Sequence, residues 1–434
     1  MVETENKVLR YETYKDSGVE WLGEIPEHWQ VKPGFTILSE SREKNTGFIE
    51  KTVLSLSYGN VIIKPEEKLT GLVPESFETY QLVKPDDIII RPTDLQNDKT
   101  SLRTGLAKNI GIITSAYINL RVKKGYSSSF YHYYLHTIDI NKVIYGLGSG
   151  LRQNISFGDF KRFPFPSPPP HEQTAIAQFL NDKTTKIDEA ISIKEQQISL
   201  LEERKQILIH KAVTQGLNSN VKFKDSGVKW IGEIPEHWEL KRLKHISFIN
   251  RNALPETTNK DLSFHYVDIG SVSIEKGINQ TEEYNFKNAP SRARRIAKEG
   301  DTVISTVRTY LKAIDFINKE KAKFIYSTGF AVLEPKLFIH PEFLANFVRS
   351  DAFTEQVTIN SKGMSYPAIN SADLSKLFVV HSSIQEQKDI SEYIETASQK
   401  IETSIGLKKQ EIAKLKEYKS SLINSVVTGK IKVS

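Results

Sequence analysis

Cysteine is absent from the 434 residues of this chain. That excludes a disulfide framework, a cysteine-ligated zinc site and a thiol nucleophile, and it fits a reducing compartment, so the expected location is cytoplasmic. No apolar run approaches the ~18 residues that a membrane span needs, and no membrane association is expected. The polar, charged opening residues carry no visible secretory leader. Charge of one sign is scarce too: Lys+Arg 59 against Asp+Glu 53 leaves a net +6, which permits an anionic partner without demanding one. Hydrophobic content of 38% with a mean hydropathy of −0.39 excludes collagen-like and mostly disordered chains. The length suggests two or three domains.

Familiar catalytic signatures are missing as well. There is no GxxxxGK[ST] phosphate loop, no HExxH and no GxSxG. No glycine-rich fingerprint sits between a strand and a helix, so a dinucleotide or adenosyl cofactor has no evident cradle. The Asn/Asp-Pro-Pro-aromatic loop of an amino-methylating site is absent.

What the chain does have is a duplication. Residues 15–29 read KDSGVEWLGEIPEHW and residues 224–238 read KDSGVKWIGEIPEHW, identical at 13 of 15 positions. Weaker echoes follow at an offset of 213–214. Lys84-Pro85-Asp86-Asp87 before an apolar run is matched by Lys298-Glu299-Gly300-Asp301, and Thr114–Tyr117 by Ser327–Phe330. Between these anchors the halves diverge, so one scaffold is written twice with different interiors. Glu24, Glu27 and His28 could be drawn as a metal or acid–base cluster. Their recurrence beside two tryptophans suits a packed structural element better.

The clearest echo is helical. An apolar stripe runs through Ile187, Ile191, Ile198, Leu201 and Leu208, and 214 residues later through Ile401, Ile405, Ile412, Leu415 and Leu422. Lys194 and Lys205, and correspondingly Lys408 and Lys419, occupy the missing beats. A 3.5-residue period marks a coiled-coil seam, and matching beats predict that the two helices pair with each other. Proline precedes the first helix, Ser383-Ile384-Gln385-Glu386 has capping-box spacing before the second, and Gly216 stops the first. About 45 residues of helix make a rod of roughly 65–70 Å.

The expected fold class is therefore α+β and internally duplicated, with two globular mixed α/β domains separated by two long antiparallel coiled-coil helices. The expected divisions are a tail at 1–14, a domain at 15–167, a helix at 168–216, a domain at 217–380 and a helix at 381–434. Strands are predicted at 52–57, 87–90 and 110–122 with a helix at 128–138. In the second half strands are predicted at 262–274, 302–307 and 324–333 with a helix at 341–357.

Two kinds of loop, each present in both halves, are candidate DNA contacts. Gly146–Gly150 leads into Arg152, Gln153 and Asn154, side chains that hydrogen-bond guanine and adenine edges. Its counterpart contains Lys362, Ser365 and Tyr366. A segment leaving the 87–90 strand offers Arg91, Thr93, Gln96, Lys99 and Arg103, and the equivalent segment offers Arg308, Tyr310 and Lys312. Lysine and arginine suit phosphates, while arginine, glutamine and asparagine suit base edges.

The duplicated SGV-x-W-[LI]-G-E-I-P-E-H-W element resembles the start of each recognition unit in the specificity subunits of type I restriction–modification systems. Pro168-Pro169-Pro170-His171-Glu172-Gln173 resembles that family's proline-rich lead-in to its central helix. The second copy, Ser383-Ile384-Gln385-Glu386-Gln387, keeps Glu-Gln without the prolines. The resemblance implies a non-catalytic reader of double-stranded DNA, each domain reading one half of a split asymmetric sequence while the helices set the gap. It implies two modification (methyltransferase) subunits and restriction (translocase/nuclease) subunits as partners. S-adenosylmethionine, ATP and Mg would then belong to those partners, with no cofactor in this chain. The rival readings are an autonomous DNA methyltransferase or endonuclease, and a coiled-coil assembly protein that does not touch DNA.

Overall fold

The computed structural model describes residues 9–65, 67, 77–95, 102–147, 154–274 and 276–433. The chain divides into two compact units, Met1–Lys194 with Lys409–Ser434, and Glu195–Lys408. The division cuts across both long helices, Pro170–Gln215 and Ile384–Val427, so each unit owns one domain and a segment of each helix.

The first domain is built on a four-stranded antiparallel sheet in the order Leu38–Ser41, Ile118–Val122, Ile88–Ile90, Thr104–Leu106. The second repeats it with Ser247–Ile249, Phe330–Pro335, Thr302–Ser305 and Ile314–Phe316. Both hold a short, fully buried inner strand, Ile88–Ile90 in the first and Thr302–Ser305, with Val303 and Ile304 at its middle, in the second. Each domain is closed by pairing its beginning with its end: Gln30–Pro33 with Pro164–Ser167, and Glu239–Arg242 with Phe378–His381. The domain is thus an excursion that returns the chain to the start of a long helix.

Where the structure departs from the sequence reading, local turns are the cause. The expected strand 110–122 is two strands, because Tyr117 N donates to Thr114 O (3.2 Å) in a turn between them. The stretch 324–333 likewise divides into Ile325–Ser327 and Phe330–Pro335, which serve different sheets. The expected helix 341–357 breaks at Ser350. Its amide closes Pro341–Arg349 on Asn346 and Phe347, and its carbonyl accepts from Phe353 and Thr354 to open Asp351–Asn360.

The duplicated element folds as a small hairpin, Tyr14–Asp16 with Glu24–Pro26 and Phe223–Asp225 with Glu233–Pro235. Its two glycines take φ of +70° and +66° in one copy and +73° and +70° in the other, which explains why both are kept: other residues strain there. Trp29 and Trp238 are wholly buried. In the first unit His28 Nε2 meets Glu172 Oε1 at 2.5 Å, and Trp29 Nε1 and Tyr11 donate to Glu172 Oε2 at 3.0 and 3.1 Å. Burial opposes ionisation of Glu172, but these donors outweigh it and hold the carboxyl below its ordinary range. In the second unit His237 lies 3.3 Å from Glu386. The next residue does an equally repeated task. Gln173 takes the amide of Ser127 and donates to Pro168 O, while Gln387 takes the amide of His340 and donates to Ser382 O. Glu-Gln therefore fastens the first turn of each long helix to its domain, one residue on the tryptophan element and one on the cap of a domain helix.

Within each unit the helices run antiparallel, because partners ascend in one and descend in the other. In the first unit Asp188 pairs with Lys419 (2.7 Å) and Lys194 with Glu411 (2.6 Å). In the second Lys205 pairs with Glu402 (2.7 Å) and Lys408 donates to Gln197 (2.7 Å). The four seam lysines thus make two repeated pairs of contacts. Along the seam Ile187, Ile191, Ile405, Ile412 and Leu422 are buried, and Ile198, Leu201, Leu208, Ile401 and Leu415 are half-buried. In the second unit Val213, Ile390 and Ile394 join Trp238, Phe343 and Phe347 in one core, so helix ends and domain fold as a piece. Among the described residues no helix is long and apolar enough to cross a membrane.

Candidate nucleic-acid interface

The candidate loops leave the central strands in the same way in both domains. Asp87 and Asp301 close equivalent turns by accepting the amides of Lys84 (2.9 Å) and Lys298 (2.7 Å). After the strand, Asp94 and Arg308 both adopt left-handed backbone, φ +62° and +51°. The returning segment is stitched at equivalent points: Ile155 N donates to Pro92 O (3.0 Å), and Ile369 N to Thr306 O (2.8 Å). One frame therefore holds two different loops.

The turn aspartates differ in their surroundings. Arg121 Nε donates to Asp87 (3.1 Å), but the aligned residue in the second domain is Glu334. Burial first, with the Glu334 charge adding to it, pushes the Asp301 carboxyl up to about 6. The folded state then holds this proton more tightly than the unfolded chain. Its contribution to stability is greatest below pH 4 and declines as pH rises through 4 to 6. Asp301→Asn should accordingly raise stability at pH 8 by about 1–3 kcal/mol and change little at about pH 3, below both the folded and the unfolded value. Thermal unfolding at the two pH values checks this; an equal effect at both would refute it.

In the second domain the structure brings the two predicted segments together. Val307 bridges Ala368, Thr309 N donates to Pro367 O (3.2 Å), and the Thr309 and Ser361 hydroxyls lie 2.9 Å apart. The Arg308 guanidinium sits 5.2 Å from the centre of the Tyr366 ring. Tyr310, Lys362, Ser365 and Tyr366 are exposed. Lys312 is left-handed at φ +45° and half-buried, with Asp351 at 3.3 Å and Glu355 at 3.7 Å. Its charge is already engaged within the domain.

In the first domain Arg91 and Thr93 are half-buried and Asn154 is exposed, its Oδ1 accepting the Asp94 amide (3.1 Å). Gln96, Lys99, Arg152 and Gln153 lie outside the described residues. Arg103 corrects the expectation that it faces DNA: it is wholly buried. Its guanidinium donates to Thr93 O (2.7 Å), Asp94 O (3.1 Å) and the Tyr145 hydroxyl (3.2 Å). It shapes the loop from inside, because its fork reaches carbonyls that the left-handed turn at Asp94 directs inward. Sequence could not separate this arginine from its exposed neighbours. A further signal lies in Arg292, Arg294 and Arg295, three arginines in four residues, the last two on strand Ala293–Ile296 near the second loop.

Residues 31–203 and 235–417 match the family model described as type I restriction modification DNA specificity domain. Two matched segments, each spanning a domain and part of a long helix, define a duplicated recognition scaffold, and the chain belongs to that family. Its relatives include the type I restriction enzyme MjaVIII specificity subunit of Methanocaldococcus jannaschii, 26% identical over 339 residues, covering 74% of this chain and 75% of the relative. The putative MjaX specificity subunit of the same organism is 24% identical over 426 residues, covering 95% and 96%. Among solved structures, a chain from a type I R-M system assembly superposes with a TM-score of 0.67 at 14% identity, covering 93% of this chain and 98% of that one. The HsdS subunit from Thermoanaerobacter tengcongensis gives 0.52 at 14%, covering 94% and 98%. These two likenesses show the shared fold.

Proposed function

We propose that this chain reads DNA sequence and performs no chemistry itself, each domain reading one half of a bipartite, asymmetric site. The observation that carries the reading is the pair of equivalently stitched loops. Asp94 and Arg308 turn the backbone alike, and Ile155 and Ile369 return it alike, yet the side chains presented differ. Two frames with different side chains suit two different half-sequences. The paired helices set the gap between halves and dock two modification subunits. S-adenosylmethionine belongs to those subunits, while ATP and Mg serve the restriction subunits.

Replacing residues 30–160 with the corresponding domain of another specificity subunit tests this. With the modification subunits co-expressed, sequencing of methylated DNA should show one half of the motif changed and the other kept. An unchanged motif would overturn the reader assignment in favour of an assembly role. Methylation or cleavage by the purified chain alone would overturn its non-catalytic character.

A further inference from the structure

Strand Ala293–Ile296 lies at one edge of the second domain's other four-stranded sheet, whose order is Glu282–Asn285, Ser263–Val267, Ile325–Ser327, Ala293–Ile296. It carries Arg294 and Arg295, with Arg292 immediately before it. Among the described residues none of the three has a carboxylate at ion-pair distance. In the same domain Arg251 and Arg349 do, with Glu334 at 3.2 Å and Asp315 at 2.8 Å. The pairing register shifts between Ala293 and Arg295, a bulge of the kind that re-aims a side chain.

Each arginine is held but not neutralised. Arg294 lies 4.6 Å from the centre of the Phe286 ring and spends one N–H on Ala293 O (3.0 Å). A guanidinium over an aromatic ring that spends one N–H on a carbonyl keeps other N–H groups for an outside acceptor. Arg295 is half-buried, and its Nε is enclosed without an acceptor. Arg292 is exposed, and its carbonyl accepts the Thr328 amide (2.8 Å). Thr328 adjoins Gly329, whose carbonyl receives both the amide and the hydroxyl of Thr306 (2.7 and 2.8 Å). The arginine strand is therefore two hydrogen-bonded steps from the loop that carries Arg308.

Among the described residues the first domain carries no arginine at the corresponding positions. Leu82 faces Ile112 there as Ile296 faces Ile325 here, which places Gln81 where the second domain has Arg295, and the residues ahead of it are Glu78, Thr79 and Tyr80 where that domain has its arginine-bearing bulge. Gln81 is satisfied internally, donating to Thr114 O (3.1 Å) and Tyr117 O (2.7 Å).

We infer that Arg292, Arg294 and Arg295 form a phosphate-binding edge that grips the duplex backbone beside the second half-site, so that the two domains, alike in frame, hold DNA unequally. The inference rests on the DNA-reading function above. Uncompensated guanidinium groups beside a reading loop match a row of phosphates, whose condensed counterions they would release.

The test measures DNA affinity of the assembled complex with its modification subunits across a salt series. Each phosphate contact removed should reduce the slope of log affinity against log salt by about 0.9. Arg292→Gln with Arg294→Gln should lower it by about 2, and the triple variant by about 3. The ratio of cognate to non-cognate binding should stay within about twofold, since phosphate contacts carry no direct base readout. The double variant leaves the half-buried Arg295 intact and guards against misfolding. An unchanged slope would overturn the inference, as would a collapse of the cognate ratio. So would loss of the modification subunits, which would make the edge a protein contact. If the wild-type complex shows no salt-dependent DNA binding, the reading function itself fails, and that result is distinct.

Discussion

Replacing Asp315 with alanine should destabilise the second unit by about 2–4 kcal/mol, because it removes a buried carboxylate that gathers two half-buried cations and a backbone amide. Asp315 is 2% exposed and accepts from Arg349 (2.8 Å), Lys321 (2.7 Å) and the Ile278 amide (3.0 Å). Burial pushes the Arg349 guanidinium toward neutrality, and Asp315 opposes that. The carboxylate also fixes the backbone beside it. Gly277 stands at φ +65°, where an added Cβ would approach both carboxylate oxygens to 2.7 Å. Lysine and arginine from separate segments therefore converge with a backbone amide on one acid. Urea unfolding followed by hydrogen exchange should place the loss in residues 195–408. The control is Asp315→Leu combined with Arg349→Met and Lys321→Met, which removes all three charges and should recover more than half of the loss. A triple variant as unstable as Asp315→Ala would show that the ion cluster is not the cause.

That cluster also marks where sequence reading reached its limit. The repeated apolar beats announced the long helices, since period and offset are properties of order along the chain. The partners of Lys194 and Lys205 were not legible, because Glu411 and Glu402 are set by antiparallel register and many registers satisfy the same stripe. The Glu-Gln pair was visible as a resemblance, but its chemistry needed the folded hairpin: Glu172 is useful only where His28 and Trp29 converge on it. Loops proved the hardest. In sequence the Ser305–Lys312 and Lys362–Ile369 segments read separately as polar and cationic, and the structure joins them through the Val307–Ala368 bridge. Burial was the quantity sequence could not supply. Lys312 and Arg103 looked like surface cations, yet one is engaged by two carboxylates and the other is wholly enclosed. The arginines at 292, 294 and 295 are legible as composition, but the bulged strand register around them is not.

The most informative substitution is at Arg103. Arg103→Ala should cost the first unit about 3–5 kcal/mol, since it leaves buried carbonyls without donors and opens a cavity where a long side chain stood. Thr93 O and Asp94 O each lose a donor, and the Tyr145 hydroxyl loses the Nε–H that ties the segment before Gly146 to the loop. For a unit of roughly 200 residues this corresponds to a melting shift of about 6–20 °C. Arg103→Lys keeps the charge but cannot reproduce a planar fork serving two carbonyls at once, so it should fall nearer to alanine than to wild type. The functional effect should be one-sided. DNA protection at the half-site read by the first domain should be lost, while the second half-site remains protected, because the stitch between Ile369 and Thr306 does not involve Arg103. A contact arginine would behave in the opposite way, with stability unchanged and lysine a partial substitute. Thermal melting and footprinting of the same three proteins separate the two roles. An Arg103→Ala protein that melts like wild type but fails to protect the first half-site would return this residue to the DNA-facing surface.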